Sequence, residues 1–462
     1  MDGGKVGMAG MIKIVKDDFK RLKTALLSDS SVEQGAVLFA SHCLVNGCNI
    51  FLVKEIQPIP DQDMVFKHAV ARKLKASGLM KLTQKALEEG LSLIIAHSHP
   101  GSLSTFSGTD DQNEKEMMPR LLMITDNNVP HGTLVMNSNG RVDARFWGPY
   151  SKSPQPIDWI NIVGRPMINL PTLSNESYPE RINIDLFDRQ VKMFGSEGQK
   201  LLSETKVTII GAGGTGSVVG IQLAYLGVEK LFLIDHDIVD YSNLNRLLGA
   251  TKKDIGRNKI DVLSDAILNI NPQAKIEKSL EKISEKNDPP VHLIDSCIIF
   301  LCTDNMSSRV IVNDLSLRFL IPVIDVGVGI QADKGRVSAA GGSIYLSVPG
   351  ELCLQCLNRI NPDMLYQEIM AAENHIGYVL GEKVESPAVI SLNSTVASQA
   401  VNIFIDLVTG CLGSKTDQIK CFDMIQGNIY TPSLPEDFDC RYCKKLKGIG
   451  HGYYSLSNIG QK

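Results

Sequence analysis

An apolar run at Val207–Ile210 leads into Gly211-Ala-Gly-Gly-Thr-Gly216-Ser217, a helical stretch over 217–226 and a second apolar run at Lys230–Ile234. Strand, glycine turn, helix and strand in that order make a βαβ unit, which opens a parallel sheet. This stretch therefore commits the region from about Ile182 onward to an α/β fold with a mainly parallel sheet. Gly211, Gly213, Gly214 and Gly216 become candidate cofactor-binding positions. Alone the pattern is ambiguous, because a G-x-G-x-x-G turn equally announces an NAD-binding dehydrogenase.

The residues that follow favour a triphosphate. Asp235 ends the second strand, where an acid accepts ribose hydroxyls. Asp237, Asn243, Arg246 and Lys259 add polar and cationic groups, more than a dehydrogenase needs beside its pyrophosphate. Asp304 follows another apolar strand at the carboxyl end of the sheet, and an acid there suits Mg²⁺ on phosphate oxygens. Read as plain structure, Arg246 and Lys259 are solvated charges and Asp304 caps a loop.

The first half carries a different signature. In His97-Ser-His99-Pro100, seven residues separate His99 from Ser107, and two more separate Ser107 from Asp110. Two histidines at alternate positions of a strand end leave from one face, and a carboxylate in the first turn of the next helix completes a three-ligand set for zinc. Zinc so held lowers the pKa of a bound water to about 7. Glu33, heading an apolar strand, is the candidate general base, and Ser107 the candidate oxyanion donor. The plain alternative makes Ser107 an N-cap and Asp110 a first-turn dipole partner.

Around these motifs, residues 12–148 alternate between helical and strand-like patterns. Helices are expected at Lys16–Leu27, Phe66–Leu87 and Asp110–Met118, the last stopped by Pro119. Strands are expected at Gly35–Ala40, Asn49–Ile56, Leu91–Ala96 and Leu121–Ile124, with a hairpin around Asn139-Gly140. Six prolines between 149 and 180 read as an extended connector. The division is thus 1–150, 151–180 and 181–462.

Glu33, the His97/His99 pair, Ser107 and Asp110 together resemble the motif of the JAMM metalloproteases, built on the α-β-α MPN domain. That resemblance implies cleavage of peptide or isopeptide bonds beside the C-terminal glycine of ubiquitin-like proteins. From about 185 to 445, Arg189-Gln190, the glycine turn, the Asn243-to-Arg246 run, Gly256-x-x-Lys259 and Cys302-Thr-Asp-Asn305 resemble the Rossmann-like ThiF/MoeB/HesA adenylating enzymes. This second resemblance implies that Asp235 holds the ribose, that Arg246 and Lys259 contact phosphates, and that Asp304 supports Mg²⁺. It implies further that Arg189 reaches in from a partner subunit of a homodimer. The implied partner is a small β-grasp protein ending in glycine, whose carboxylate attacks the α-phosphate of ATP.

Cys353/Cys356 and Cys440/Cys443 form two Cys-x-x-Cys pairs, expected to close a structural four-thiolate zinc site. The segment from Asn361 to Asn402, where many such enzymes take the acyl group onto a thiol, contains no cysteine. Direct passage of the adenylate to a separate cysteine protein such as a conjugating enzyme, to a sulfur donor or to an amine is the expectation. Cys411 and Cys421 are expected to be inert core thiols.

A formal charge of −4 over 462 residues gives no footprint for nucleic acid or an anionic membrane, and no apolar run reaches membrane-span length. The whole reads as a cytoplasmic, bifunctional enzyme of a bacterial ubiquitin-like or sulfur-carrier pathway. The rival reading keeps the adenylating activity and makes the JAMM domain a docking module.

Overall fold

The computed structural model describes residues 10–67, 72–101, 105–126, 128–173, 186–283, 291–373, 387–413, 417–433 and 440–450. The chain opens with β1 (Gly10–Val15), α1 (Lys16–Leu26), β2 (Gly35–Val45) and β3 (Cys48–Pro58). There follow β4 (Met64–Lys67), β5 (Arg72–Leu74), α2 (Ala76–Glu89), β6 (Ser92–His99) and α3 (Gly108–Ile124). The hairpin β7 (His131–Asn137) and β8 (Val142–Trp147) comes next, then β9 (Gln155–Pro156), β10 (Trp159–Val163) and β11 (Ile168–Pro171). Nine of these strands form one sheet in the order β11-β10-β1-β3-β2-β6-β7-β8-β9.

Alternation of side chains divides this sheet between two cores. Leu38, Phe51, Ile94 and Ala96 pack on the α1 side, whereas Val37, Phe39 and Leu93 pack with Met118, Leu121 and Leu122 of α3. His97 and His99 share the parity of Leu93, so the strand delivers both to the face that α3 covers. The β7–β8 hairpin turns as expected, with Gly140 at φ +79° and Asn137 N donating to Arg141 O.

Three expectations are corrected here. The helix expected at Phe66–Leu87 begins only at Ala76, because β4 and β5 pair with each other and Lys75 N donates to Asp63 O. Pro119 does not stop α3, and Leu121–Ile124 is helix rather than strand. Pro119 and Lys115, whose carbonyl loses its donor, are both exposed, so water satisfies that carbonyl while Met118, Leu121 and Leu122 stay buried. The proline-rich stretch is not wholly a connector: β10 pairs parallel with β1, and β9 and β11 cap the two sheet edges. Residues 174–180 of that stretch lie outside the described residues.

The second sheet begins after α4 (Asp188–Glu204) with β12 (Lys206–Ile210), α5 (Gly214–Tyr225), β13 (Lys230–Ile234), α6 (Lys259–Ile270) and β14 (Lys275–Ser279). It continues through α7 (Val291–Ile294), β15 (Ile298–Leu301), α8 (Met306–Phe319), β16 (Val323–Asp333) and β17 (Arg336–Ser347). The last elements are α9 (Pro362–Glu373), α10 (Ile390–Thr409), β18 (Ile419–Asp423), β19 (Asn428–Tyr430) and α11 (Arg441–Leu446). The order is β14-β13-β12-β15-β16-β17-β18-β19, with the first five strands parallel and the last three added antiparallel. Val207 to Ile210 and Ile298 to Leu301 are buried without a break, as strands covered on both faces must be.

The two units share apolar surface: Val15, Ile50, Leu52 and Val163 of the first join the core of the second. Lys447, just after α11, reaches back to Asp18 of α1 at 2.5 Å. Among the described residues, no helix is long and apolar enough to cross a membrane.

Candidate functional site

The first candidate site forms where β6 ends. Gly35 pairs antiparallel with His97, and Gln34 and Ser98 exchange two hydrogen bonds, Ser98 N to Gln34 O and Gln34 N to Ser98 Oγ. Continuing that register sets Glu33 opposite His99 and on the same face as both histidines. Glu33, His97 and His99 are 4%, 7% and 6% exposed, so the polar cluster is shielded from bulk water.

His97 Nε2 lies 3.2 Å from His99 Nε2, and the two stand 3.1 and 3.3 Å from the carboxylate oxygens of Asp110. Donors at about 2.0–2.2 Å from a tetrahedral zinc ion sit about 3.3–3.5 Å apart, so this set fits that metal. Burial alone would raise the Asp110 pKa, but His97, His99 and the Ser107 hydroxyl outweigh it and hold the carboxyl well below its ordinary range.

Ser107 is the N-cap of α3. Its N–H and Oγ–H both donate to Asp110 Oδ2 at 2.7 Å, and its Oγ accepts from Asp110 N at 3.2 Å. The capping box thus aims the Asp110 carboxylate at the histidines. One turn on, Glu114 accepts from Thr133 Oγ1, from Nε and Nη2 of Arg145 and from Trp147 Nε1, at 2.9 to 3.0 Å. The Arg145 guanidinium lies 3.8 Å over the Phe106 ring. This bracket locks α3 to β7 and β8. Sequence reasoning missed Glu114, since its partners lie on distant strands.

The second candidate site lies at the carboxyl ends of β12 and β15, neighbours from which the strand order runs in opposite directions. Such a switch point is where open α/β sheets bind ligands. Gly211 stands at φ +91°, and a Cβ there would be 2.8 Å from Cys302 O. A Cβ on Gly216 would overlap Gly211 O, and one on Gly214 would overlap the Asn393 side-chain amide. Nothing lies within 4 Å of a Cβ on Gly213. That open space faces the amino end of α5, a cradle that fits a phosphate.

Asp235 Oδ2 accepts from Ala212 N at 2.6 Å and Oδ1 from Asp237 N at 2.8 Å, which ties the end of β13 to the glycine turn. Asp237 holds Lys259 Nζ at 2.7 Å. Arg246 donates to Ser242 O at 2.7 Å, and its Cδ is 3.7 Å from the Cβ position of Gly214. Asn243 caps its own turn, accepting from Asp240 N at 3.2 Å. Asp304 is exposed in the turn after β15. Arg189 is also exposed, near the start of α4. Asn393, 2% exposed on α10 and packed on Gly214, is a site neighbour that its local sequence does not announce.

The four paired cysteines come together. The Cys353–Cys356, Cys356–Cys443 and Cys353–Cys440 Sγ distances are 3.6, 3.6 and 4.0 Å. Thiolates around a tetrahedral zinc stand about 3.8 Å apart, so this set also fits. Hydrogen bonds from Cys353 and Cys443 pull the Cys356 thiol well below its ordinary range. Burial pushes the Cys302 thiol up to about 12. Cys411 corrects its expectation: it is exposed on the turn after α10 rather than buried in a core.

A nucleotide-type switch-point site thus stands beside a domain with a His-His-Asp centre. Residues 187–442 match the ThiF family, and residues 17–147 match prokaryotic homologues of the JAB domain. The chain belongs to the ThiF family and carries a JAB-type domain at its amino-terminal side. A probable molybdopterin-synthase adenylyltransferase of Porphyra purpurea is 36% identical over 178 residues, 38% of this chain and 44% of the relative. The SAMP-activating enzyme E1 of Haloferax volcanii is 29% identical over 176 residues, 38% of this chain and 62% of the relative. Among solved structures, E. coli MccB with AMPCPP and MccA matches at 19% identity and a TM-score of 0.45, covering 56% of this chain and 75% of that one. The chain spans about half the length of the first curated relatives it matches.

Proposed function

We propose that the ThiF domain adenylates the C-terminal glycine of a small ubiquitin-like or sulfur-carrier protein, and that the JAB domain cleaves next to that same glycine. The observation that carries the first half is the open space at Gly213, with Arg246 beside Gly214 and Asp235 bonded to the glycine turn at Ala212 N. The relatives that share this domain include adenylyltransferases and a SAMP-activating enzyme, which supports the same class of substrate.

In the reaction, a carboxylate oxygen of the glycine bonds to the α-phosphorus of ATP, and the bond to the bridging β-oxygen breaks to release pyrophosphate. The domain supplies position and charge and needs no protein nucleophile. Asp235, with its orientation fixed by Ala212 N and Asp237 N, receives the ribose hydroxyls. The amino end of α5, Arg246 and Lys259 offset the phosphate charge, and Arg189 from a second copy adds to it in a homodimer. Asp304 would hold Mg²⁺, which neutralises charge on the leaving pyrophosphate.

In the JAB domain, His97, His99 and Asp110 would hold zinc, which polarises a carbonyl and acidifies a water. Glu33 takes the proton of the attacking water and returns it to the departing nitrogen. Ser107 stabilises the oxyanion by turning its hydroxyl away from Asp110. Because that hydroxyl is already committed to the cap, a docking role for the domain stands as the second reading. Fusion is economical under the first, since the product of trimming is the substrate of adenylation.

The test is the intact mass of a β-grasp precursor after incubation with the full chain, with and without ATP and Mg²⁺. The expected result is ATP-independent loss of residues after a glycine, then an ATP-dependent gain of adenylate on the trimmed form. Adenylation without cleavage of precursors or conjugates would leave the docking reading. Binding of NAD in preference to ATP would overturn the adenylation reading itself.

A further inference from the structure

Asp325, at the start of β16, is fully buried between two guanidinium groups. Arg309, in the first turn of α8, donates Nε to Asp325 Oδ1 at 3.1 Å, and Arg359 donates Nε to Oδ2. Two cations on one fully buried carboxylate leave a net positive charge, Arg309 buried with it and Arg359 16% exposed. Well-packed apolar side chains commonly serve stability as well as such a cluster, so packing alone does not account for it.

Each arm ends somewhere informative. Arg309 also donates Nη2 to Thr303 O at 2.9 Å and Nη1 to Asn305 O at 3.2 Å, gripping the backbone on both sides of Asp304. Arg359 comes from the four-cysteine site, three residues beyond Cys356. The turn that delivers it is closed by Leu357 N to Cys353 O at 3.0 Å and Arg359 N to Leu354 O at 2.9 Å. Its guanidinium crosses β16 at Gly327, where a Cβ would overlap Nη2, and lies 4.8 Å over the Tyr345 ring. A chain of direct contacts therefore runs from the cysteine cluster to the loop that carries Asp304.

We propose that Arg359–Asp325–Arg309 is a positioning relay through which the four-cysteine site sets the place of Asp304 in the adenylating centre. The inference rests on the adenylation reading above. Arg359 touches no reactant and acts through Asp325 and Arg309. Its loss frees one oxygen of a buried carboxylate, which then draws Arg309 away from the Thr303 and Asn305 carbonyls. The contacts of Asp235 with Ala212 N and Asp237 N are made outside the relay and stay as they are.

The experiment uses the full chain and a β-grasp protein ending in Gly-Gly that supports ATP–pyrophosphate exchange with the wild type. Arg359→Gln is expected to cut exchange turnover about tenfold or more, as a displaced catalytic group does, with the half-saturating ATP concentration held within about twofold. Mn²⁺ binding beside AMPCPP, read by electron paramagnetic resonance, weakens in parallel, zinc content stays unchanged, and Arg359→Lys recovers part of both signals. Should Arg359→Gln fail to fold, Gly327→Ala pushes the guanidinium off Asp325 with every charge retained and is expected to act alike. Unchanged turnover and Mn²⁺ binding, or losses that merely follow loss of zinc, overturn the relay and leave the adenylation reading intact. A wild type with no exchange toward any such protein and no Mn²⁺–AMPCPP binding overturns both.

Discussion

Ser107→Ala separates two contributions of a single hydroxyl. Its Oγ accepts from Asp110 N and donates to Asp110 Oδ2. Removing an N-cap side chain costs about 1 kcal/mol of stability, whether or not metal is bound. Removing the donor to a metal-ligating carboxylate lowers metal affinity about 10- to 100-fold, or about 1.4–2.7 kcal/mol. The metal-free variant should therefore be less stable than wild type by about 1 kcal/mol, and the zinc-loaded variant by about 2.4–3.7 kcal/mol. The assay is urea unfolding of both proteins with zinc and with a chelator strong enough to strip three ligands but not four thiolates. The cysteine site is common to both proteins and cancels in the difference. An equal loss with and without zinc would refute the argument that the cap aims Asp110 at a metal.

Other expectations test the fold and the second site. Gly216→Ala should destabilise the ThiF domain by about 1–3 kcal/mol through overlap with Gly211 O, as overpacking does. Gly213→Ala should keep the melting temperature yet weaken ATP binding by calorimetry; unchanged affinity would mean that no phosphate uses the cradle. His131 accepts from Leu93 N at Nδ1 and contacts Thr125 Oγ1 at Nε2, and burial lowers its pKa from 6.5 to about 4. Its stabilisation is thus whole above pH 6.5 and lost as pH falls toward 4, about 2 kcal/mol between pH 7 and 5. Urea midpoints at those two pH values should fall further for wild type than for His131→Asn, and equal falls would contradict this. At pH 7.5 iodoacetamide should label exposed Cys411 and spare Cys302, whose thiol is pushed up to about 12; labelling of Cys302 by peptide mass would contradict that raised pKa.

Where the sequence misled, it did so because local signals were outvoted by contacts made later. Pro119 carries an intrinsic stop, yet burial of Met118, Leu121 and Leu122 carries α3 through it. The prolines after 149 signal a connector, yet Trp159–Val163 finds β1 as a parallel partner from the opposite end of the domain. Cys411 looked apolar in its segment, but it stands beyond Gly410, the left-handed residue that ends α10. Nothing near Glu114 or Asp325 in the chain hints at the arginines each one holds.

Chemistry that depends on residues close in sequence was legible before any fold was known. A strand end places His97 and His99 on one side, a helix start brings Asp110 back to them, and a glycine turn between strand and helix makes a cradle, all through short-range geometry. Tertiary structure alone decided what holds those groups in place. The register of β2 on β6 pairs Gly35 with His97, two residues from Glu33 and His99, and α10 lays Asn393 on Gly214. The ion cluster at Asp325 joins the cysteine site to Asp304. These partners lie tens to hundreds of residues apart, and only the packing of whole sheets and helices brings them together.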